Sequence, residues 1–218
     1  MTRGWLVALA LAAASAGGVA LVAQREARVA ERPRLALLTS LPLLFGEQFG
    51  LDAPKPAAIA RIEQDYIIVP IAVADAASLE RQSLLLMAHP RAQPAEALVE
   101  LDAWVRRGGR VLLLADPRLK WESSRPLGDA LRPPPDFADT GLLAHWGLRL
   151  GIDEAGEGSL RATNPRCTVG ELEWLARCRI GQGEASVIAD ADFILGAGND
   201  SARGVEMMMA ELSRAESH

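Results

Sequence analysis

The chain has 218 residues, a formal charge of −5 and 50% hydrophobic residues. That length suits one domain of ordinary size, and the apolar content excludes a disordered or fibrous chain. The acidic balance excludes a protein that captures nucleic acid through a basic face, and among the 23 basic residues, of which only Lys55 and Lys120 are lysines, no cluster stands out.

The first segment sets the location. Residues 4–23 carry no charge. At about 1.5 Å per residue a helix of twenty residues reaches roughly 30 Å, the hydrocarbon thickness of a bilayer. Residues 1–24 are therefore expected to be a transmembrane anchor or a signal peptide. The segment is rich in Ala and Gly, and Ala14-Ser15-Ala16 has the small-x-small form of a cleavage site. The apolar run continues past that point to full spanning length, which favours a single-pass anchor in the cytoplasmic (inner) membrane, in contact with lipid through residues 4–23. Residues 25–34 follow as a charged tether. Its Arg25, Arg28, Arg32 and Arg34 outnumber Arg3 and would place the following domain in the cytoplasm. The signal-like shape of the segment and an even pair of cysteines point the other way.

Residues 35–218 read as one α/β domain. Residues 34–39 form a short apolar strand, and 40–47 a loop broken by Pro42 and Gly46. Residues 56–64 suit a helix opened by proline. Residues 66–73 and 83–88 are the second and third strands, the latter ended by His89-Pro90. After Pro94, the residues Ala97, Leu98, Leu101, Trp104 and Val105 recur at helical spacing and make one apolar face. Gly108-Gly109 stops that helix. Residues 111–115 are a fourth strand, ended by Asp116-Pro117. The proline-rich stretch 120–137 is a long loop, and 140–146 a short helix. Residues 148–161, rich in Gly and acid, show no clear pattern. Residues 171–180 alternate, with Leu172, Trp174, Ala176, Cys178 and Ile180 on one face, as in an antiparallel edge strand with one wet side. Residues 181–183 turn it into a strand at 185–189. Ser201 is expected to cap a last helix carrying Val205, Met208, Met209 and Leu212. Continuous apolar strands alternating with helices are the signature of a parallel sheet covered on both faces. The expected architecture is a three-layer α/β sandwich with a mostly parallel sheet and one antiparallel edge, preceded by a single N-terminal transmembrane helix.

The chemistry is mostly negative. No phosphate-cradling glycine motif, nucleophile elbow, His-x-x-x-His or Cys-x-x-Cys spacing occurs. No cofactor, metal or catalytic residue is assigned. The ligand-binding candidates are Asp116, Asp190 and Asp192, each following an apolar run. In open parallel sheets, ligands bind outside the carboxyl ends of the strands. Carboxylates gathered there can hold a hydrated divalent cation, or they can simply satisfy exposed N–H groups. His89, at the end of the third strand, is a fourth candidate beside its plainer reading as a surface-turn histidine. Cys167 and Cys178 are expected to form a disulfide, with Gly170 permitting the chain to fold back. The alternative is a pair of buried thiols.

Residues 101–117, Leu-Asp-Ala-Trp-Val-Arg-Arg-Gly-Gly-Arg-Val-Leu-Leu-Leu-Ala-Asp-Pro, resemble the helix, Gly-Gly, strand and Asp-Pro core of the GldG-like family. Residues 183–193 with Asn199 resemble that family's closing strand and its turn into a helix. The resemblance implies an ABC-transporter auxiliary subunit with an extracytoplasmic domain. It also implies a fold similar to class I glutamine amidotransferases without their catalytic cysteine. It outweighs the arginine count and makes the domain periplasmic. Three readings follow. The first is a membrane-anchored, non-catalytic auxiliary or binding subunit, partnered by an ABC-type permease and ATPase. The second is a metal-dependent hydrolase using the strand-end aspartates. The third is a purely structural envelope protein, with the last helix and its Met207, Met208 and Met209 available for a homodimer.

Overall fold

The computed structural model describes residues 32–47 and 55–216. The chain divides into two units, Met1–Pro33 and Arg34–His218. The expected anchor at 4–23 lies outside the described residues. Among the described residues no helix is long and apolar enough to cross a membrane.

Four largely buried strands become the centre of a seven-stranded sheet. These are β1 (Arg34–Thr39), β3 (Leu84–Ala88), β4 (Arg110–Leu114) and β9 (Gly183–Ile188). They pair in parallel, with β2 (Ile67–Pro70) parallel to β1 on the outer side. The order is β2-β1-β3-β4-β9-β8-β7, where β8 (Leu175–Ile180) and β7 (Cys167–Val169) run antiparallel. Alternate side chains on the central strands serve two separate cores. Leu85, Met87, Val111 and Leu113 meet helix α3 (Ala95–Arg106) through Leu101, Trp104 and Val105. Leu86, Leu112 and Leu114 lie in the opposite core. There they are covered by α1 (Ala57–Asp65) and α5 (Asn199–Glu216), through Ile59, Ile62, Met208 and Leu212. Each fully buried Leu or Met contributes roughly 1.5–3 kcal/mol, so these two layers dominate the stability of the domain. The expected α/β sandwich with a mostly parallel sheet is what the domain adopts.

Smaller elements finish the frame. Helix α2 (Ala76–Leu79) is capped by Asp75, whose side chain accepts the Ser78 N–H at 2.8 Å. Helix α4 (Leu142–Trp146) covers the first core. Strands β5 (Leu148–Ile152) and β6 (Gly158–Ala162) make a separate antiparallel pair in the stretch where the sequence showed no pattern. The β8–β9 turn packs tightly on the end of α3. Gln182 donates its N–H to the Arg106 carbonyl at 3.0 Å, and a Cβ on Gly183 would meet the Gly109 and Val105 carbonyls at 2.2 Å.

The antiparallel flank differs from the sequence expectation. Residues 171–180 are not one edge strand. Glu173 takes a left-handed φ of 55° and the Gly170 N–H bonds the Leu175 carbonyl at 2.9 Å, so 170–174 is a tight turn. The edge is β7, and β8 is paired on both sides. Leu172, expected to face inward, is 78% exposed because it sits on that turn. The turn sets Cys167 directly opposite Cys178, with Cα atoms 4.1 Å apart, and the two are joined by a disulfide. Helix α5 begins at Asn199, and Ser201 lies inside its first turn, its Oγ turned to the Ala197 carbonyl rather than to a free N–H.

Candidate functional site

The strand order puts β1, β3, β4 and β9 side by side with their carboxyl ends together, so the residues that end them share one rim. At the ends of β4 and β9 stand Asp116, Asp190 and Asp192. One carboxylate oxygen from each lies within 4.8 Å of the others. The three candidates thus converge, although Asp116 is some seventy residues away in sequence.

Each aspartate also does local work. Asp116 is buried, and its two oxygens accept the N–H groups of Arg118 at 2.8 Å and Ala191 at 3.0 Å. It therefore ties the end of β4 to the chain leaving β9. Asp190 accepts the Asp192 N–H at 2.8 Å, and Asp192 accepts the Lys120 N–H at 2.8 Å. The plain role of strand-end aspartates and their convergence coexist. None of the three is ion-paired among the described residues: the Lys120 ammonium goes to Glu157 at 2.7 Å. Burial pushes the Asp190 carboxyl up to about 6, and the charges of Asp116 and Asp192 add to it. Burial raises Asp192 as well, with Asp116 adding to the rise and the Lys120 N–H opposing it.

Two cavities open beside the aspartates, and both include Asp190, Asp192 and Gly196. One, of about 470 Å³, has walls of Trp174, Phe193 and Met207, with Asp200 at its side. The other, of about 330 Å³, is bounded by Trp121, Lys120 and Glu157. Phe193 comes from the 3-10 turn Asp192–Ile194 and Trp174 from the β7–β8 turn. Phe193 sits so close to α5 that a Cβ on Gly204 would meet its ring at 2.5 Å. Sequence reasoning missed these walls, because neither turn announces itself by periodicity.

His89 is not a surface-turn histidine. It is fully buried and takes a left-handed φ of 47° where the chain leaves β3. Its Nε2–H donates to the Pro134 carbonyl at 3.0 Å, which leaves Nδ1 buried without a partner. Burial lowers its pKa, against the raising effect of the Pro134 bond and of Asp116, Asp136 and Asp192. The ring holds the proline-rich loop down on the sheet end. That loop is further fixed by the Phe137 N–H on the Asp116 carbonyl at 2.7 Å and by Arg91 on the Arg132 carbonyl at 2.6 Å. Glu47, in the loop after β1, accepts from Ser123 and Ser124 and completes the lacing.

Comparison with known proteins gives the family and the fold. No curated protein sequence matches. The N-terminal domain described as mmIFT52 is similar in structure at 12% identity, covering 83% of this chain and 97% of that domain, with a TM-score of 0.54. The cytoplasmic protein STM3548 from Salmonella typhimurium is similar at 11% identity over 84% of this chain and 98% of its own, with a TM-score of 0.51. At such identities these likenesses concern the fold alone. Residues 32–161, from just before β1 through the strand-end loop to β6, match the family described as ABC-type uncharacterized transport system, ABC_transp_aux. The chain belongs to this family of ABC-type transport system auxiliary proteins.

Proposed function

We propose that this chain is a membrane-anchored, non-catalytic auxiliary or binding subunit of an ABC-type transport system, with its α/β domain on the extracytoplasmic side. The family match over residues 32–161 carries the reading. The location rests on the uncharged run at 4–23 and on a disulfide of the kind that persists in oxidising compartments. The disulfide and the buried His89 support a non-catalytic role: neither thiol is available as a nucleophile, and the imidazole is committed to Pro134. The domain then acts through its surface and its strand-end cleft, as a partner and binder.

The test is purification of the tagged full chain from native membranes in mild detergent. An ATPase and a permease should accompany it in fixed ratio. Recovery of the chain without either subunit would overturn the reading. The convergence of Asp116, Asp190 and Asp192 favours the second reading, a metal-dependent hydrolase. It requires magnesium- or manganese-dependent hydrolysis of a generic ester that is lost in Asp190→Asn.

A further inference from the structure

The two cavities at the strand ends meet at Asp190, Asp192 and Gly196 and form a two-lobed cleft. We propose that this cleft binds an organic cation, an ammonium or guanidinium group on an apolar body, with Asp190 and Asp192 holding the charge and Trp174 and Phe193 enclosing the body. The inference deepens the proposed binding role and rests on it for its purpose, while the binding itself is independent of any transporter.

Several observations carry it. The larger lobe, about 470 Å³, is of the size at which proteins hold small organic ligands. Its walls are aromatic and thioether side chains, and its polar side chains are three carboxylates and the Ser201 hydroxyl, with no basic side chain among the residues lining this lobe. Nearby charges are already matched: Lys120 is held by Glu157, and Asp200 is paired with Arg203. Asp190 and Asp192 have no such partner among the described residues. Burial and the neighbouring carboxylates hold both carboxyls above the ordinary range, and the Lys120 ammonium, which bounds the smaller lobe and is held by Glu157, offsets this only in part. A cation placed there relieves that crowding, and aromatic faces attract cations in their own right.

The same features argue for an organic ion over a bare metal. Both oxygens of Asp116 and one oxygen each of Asp190 and Asp192 are engaged by backbone N–H groups. The carboxylate oxygens left over would hold a hard divalent ion only with most of its shell supplied by water. The aromatic walls would contribute nothing to a hydrated metal, but they suit an apolar body.

The test is calorimetric titration of the full chain with phenethylammonium chloride. Parallel arms use 2-phenylethanol, the neutral counterpart, and magnesium or calcium chloride. The expected result is saturable binding of the ammonium compound, at least tenfold tighter than the neutral alcohol. Asp190→Asn with Asp192→Asn should weaken it at least tenfold, and Trp174→Ala at least threefold. Equal affinity for the alcohol, saturable binding of the metals alone, or no saturable binding of the ammonium compound would each overturn the proposal. The comparison of charged with neutral probe needs no variant, so a misfolded mutant does not blunt it. If the probe fails while the ATPase and permease still co-purify, the ligand class is wrong and the auxiliary role stands. If the probe binds and no subunit co-purifies, the reverse holds.

Discussion

The parallel centre and the antiparallel flank of the sheet are held together by different physics. Strands β1, β3 and β4 bury hydrocarbon on both faces, so each core is a continuous layer of Leu, Ile, Val and Met. The flank buries fewer large side chains. Above β8 and β9, beneath the last turns of α5, lies a polar knot: Glu211, 6% exposed, accepts from Arg177 Nε at 2.9 Å, Arg214 Nε at 3.2 Å and Ser186 Oγ at 3.3 Å. On the other face the disulfide joins β7 to β8. Apolar packing has no titratable or reducible part, whereas the flank has both. The centre should therefore respond to volume, and the flank to pH and redox state.

Four perturbations separate the two regions, the destabilising ones first, from the largest effect to the smallest. Truncating Leu86 to Ala in β3, where the side chain is fully buried, should cost about 2–5 kcal/mol. For a domain of this size each kcal/mol lowers Tm by roughly 2–4 °C, which calorimetry reads directly. Replacing both cysteines with serine should cost about 3 kcal/mol in the chain-entropy account, for a separation of 11 residues. Urea unfolding with and without reductant should show that loss in the wild type and no reductant effect in the double variant.

Third comes Glu211→Gln, expected to cost about 1–3 kcal/mol at neutral pH, since hydrogen bonds to a charged acceptor are replaced by neutral ones. Burial works to raise the Glu211 carboxyl, but Arg177 and Arg214 outweigh it and hold the pKa below the ordinary value. A depressed carboxylate contributes stability that is present above the unfolded pKa and lost as pH falls through the folded one. The difference between wild type and variant should therefore shrink below about pH 4. The fourth effect has the opposite sign. Asp190 is raised to about 6 from 3.8, so its ionisation destabilises the fold as pH rises through that interval. Asp190→Asn should remove this decline between pH 4 and pH 6 and leave stability in stronger acid unchanged, as chemical denaturation across that range would show.

The same division explains what the sequence made legible. Strands such as 84–88 and 110–114 announced themselves because burial on both faces demands unbroken apolar runs. The turn at 170–174 was hidden because Leu172 and Trp174 fall on the alternation of the true strand, Leu175–Ile180, and extend it falsely. Strand β7 has only three residues, too few to show a period. In β5 and β6 the buried Leu148, Ser159 and Leu160 are diluted by Gly and Arg, so no pattern emerged. The aspartates of the cleft were visible because each ends an apolar run. Its aromatic walls were not, since Trp174 and Phe193 stand on turns that only the assembled sheet brings together. His89 was misplaced because a His-Pro pair after a strand reads as a surface turn, and nothing local shows that the loop of Pro134 folds back over it.

The proposed extracytoplasmic location would put the domain where the covalent staple of its flank can form. Thiol trapping in intact cells tests this most directly. Cells are quenched in acid, the protein is denatured so that the buried Cys167 and Cys178 become accessible, and free thiols are labelled with a maleimide before and after reduction. The account predicts no labelled cysteine before reduction and two after it. Two labelled cysteines before reduction would contradict it and place the domain in a reducing compartment.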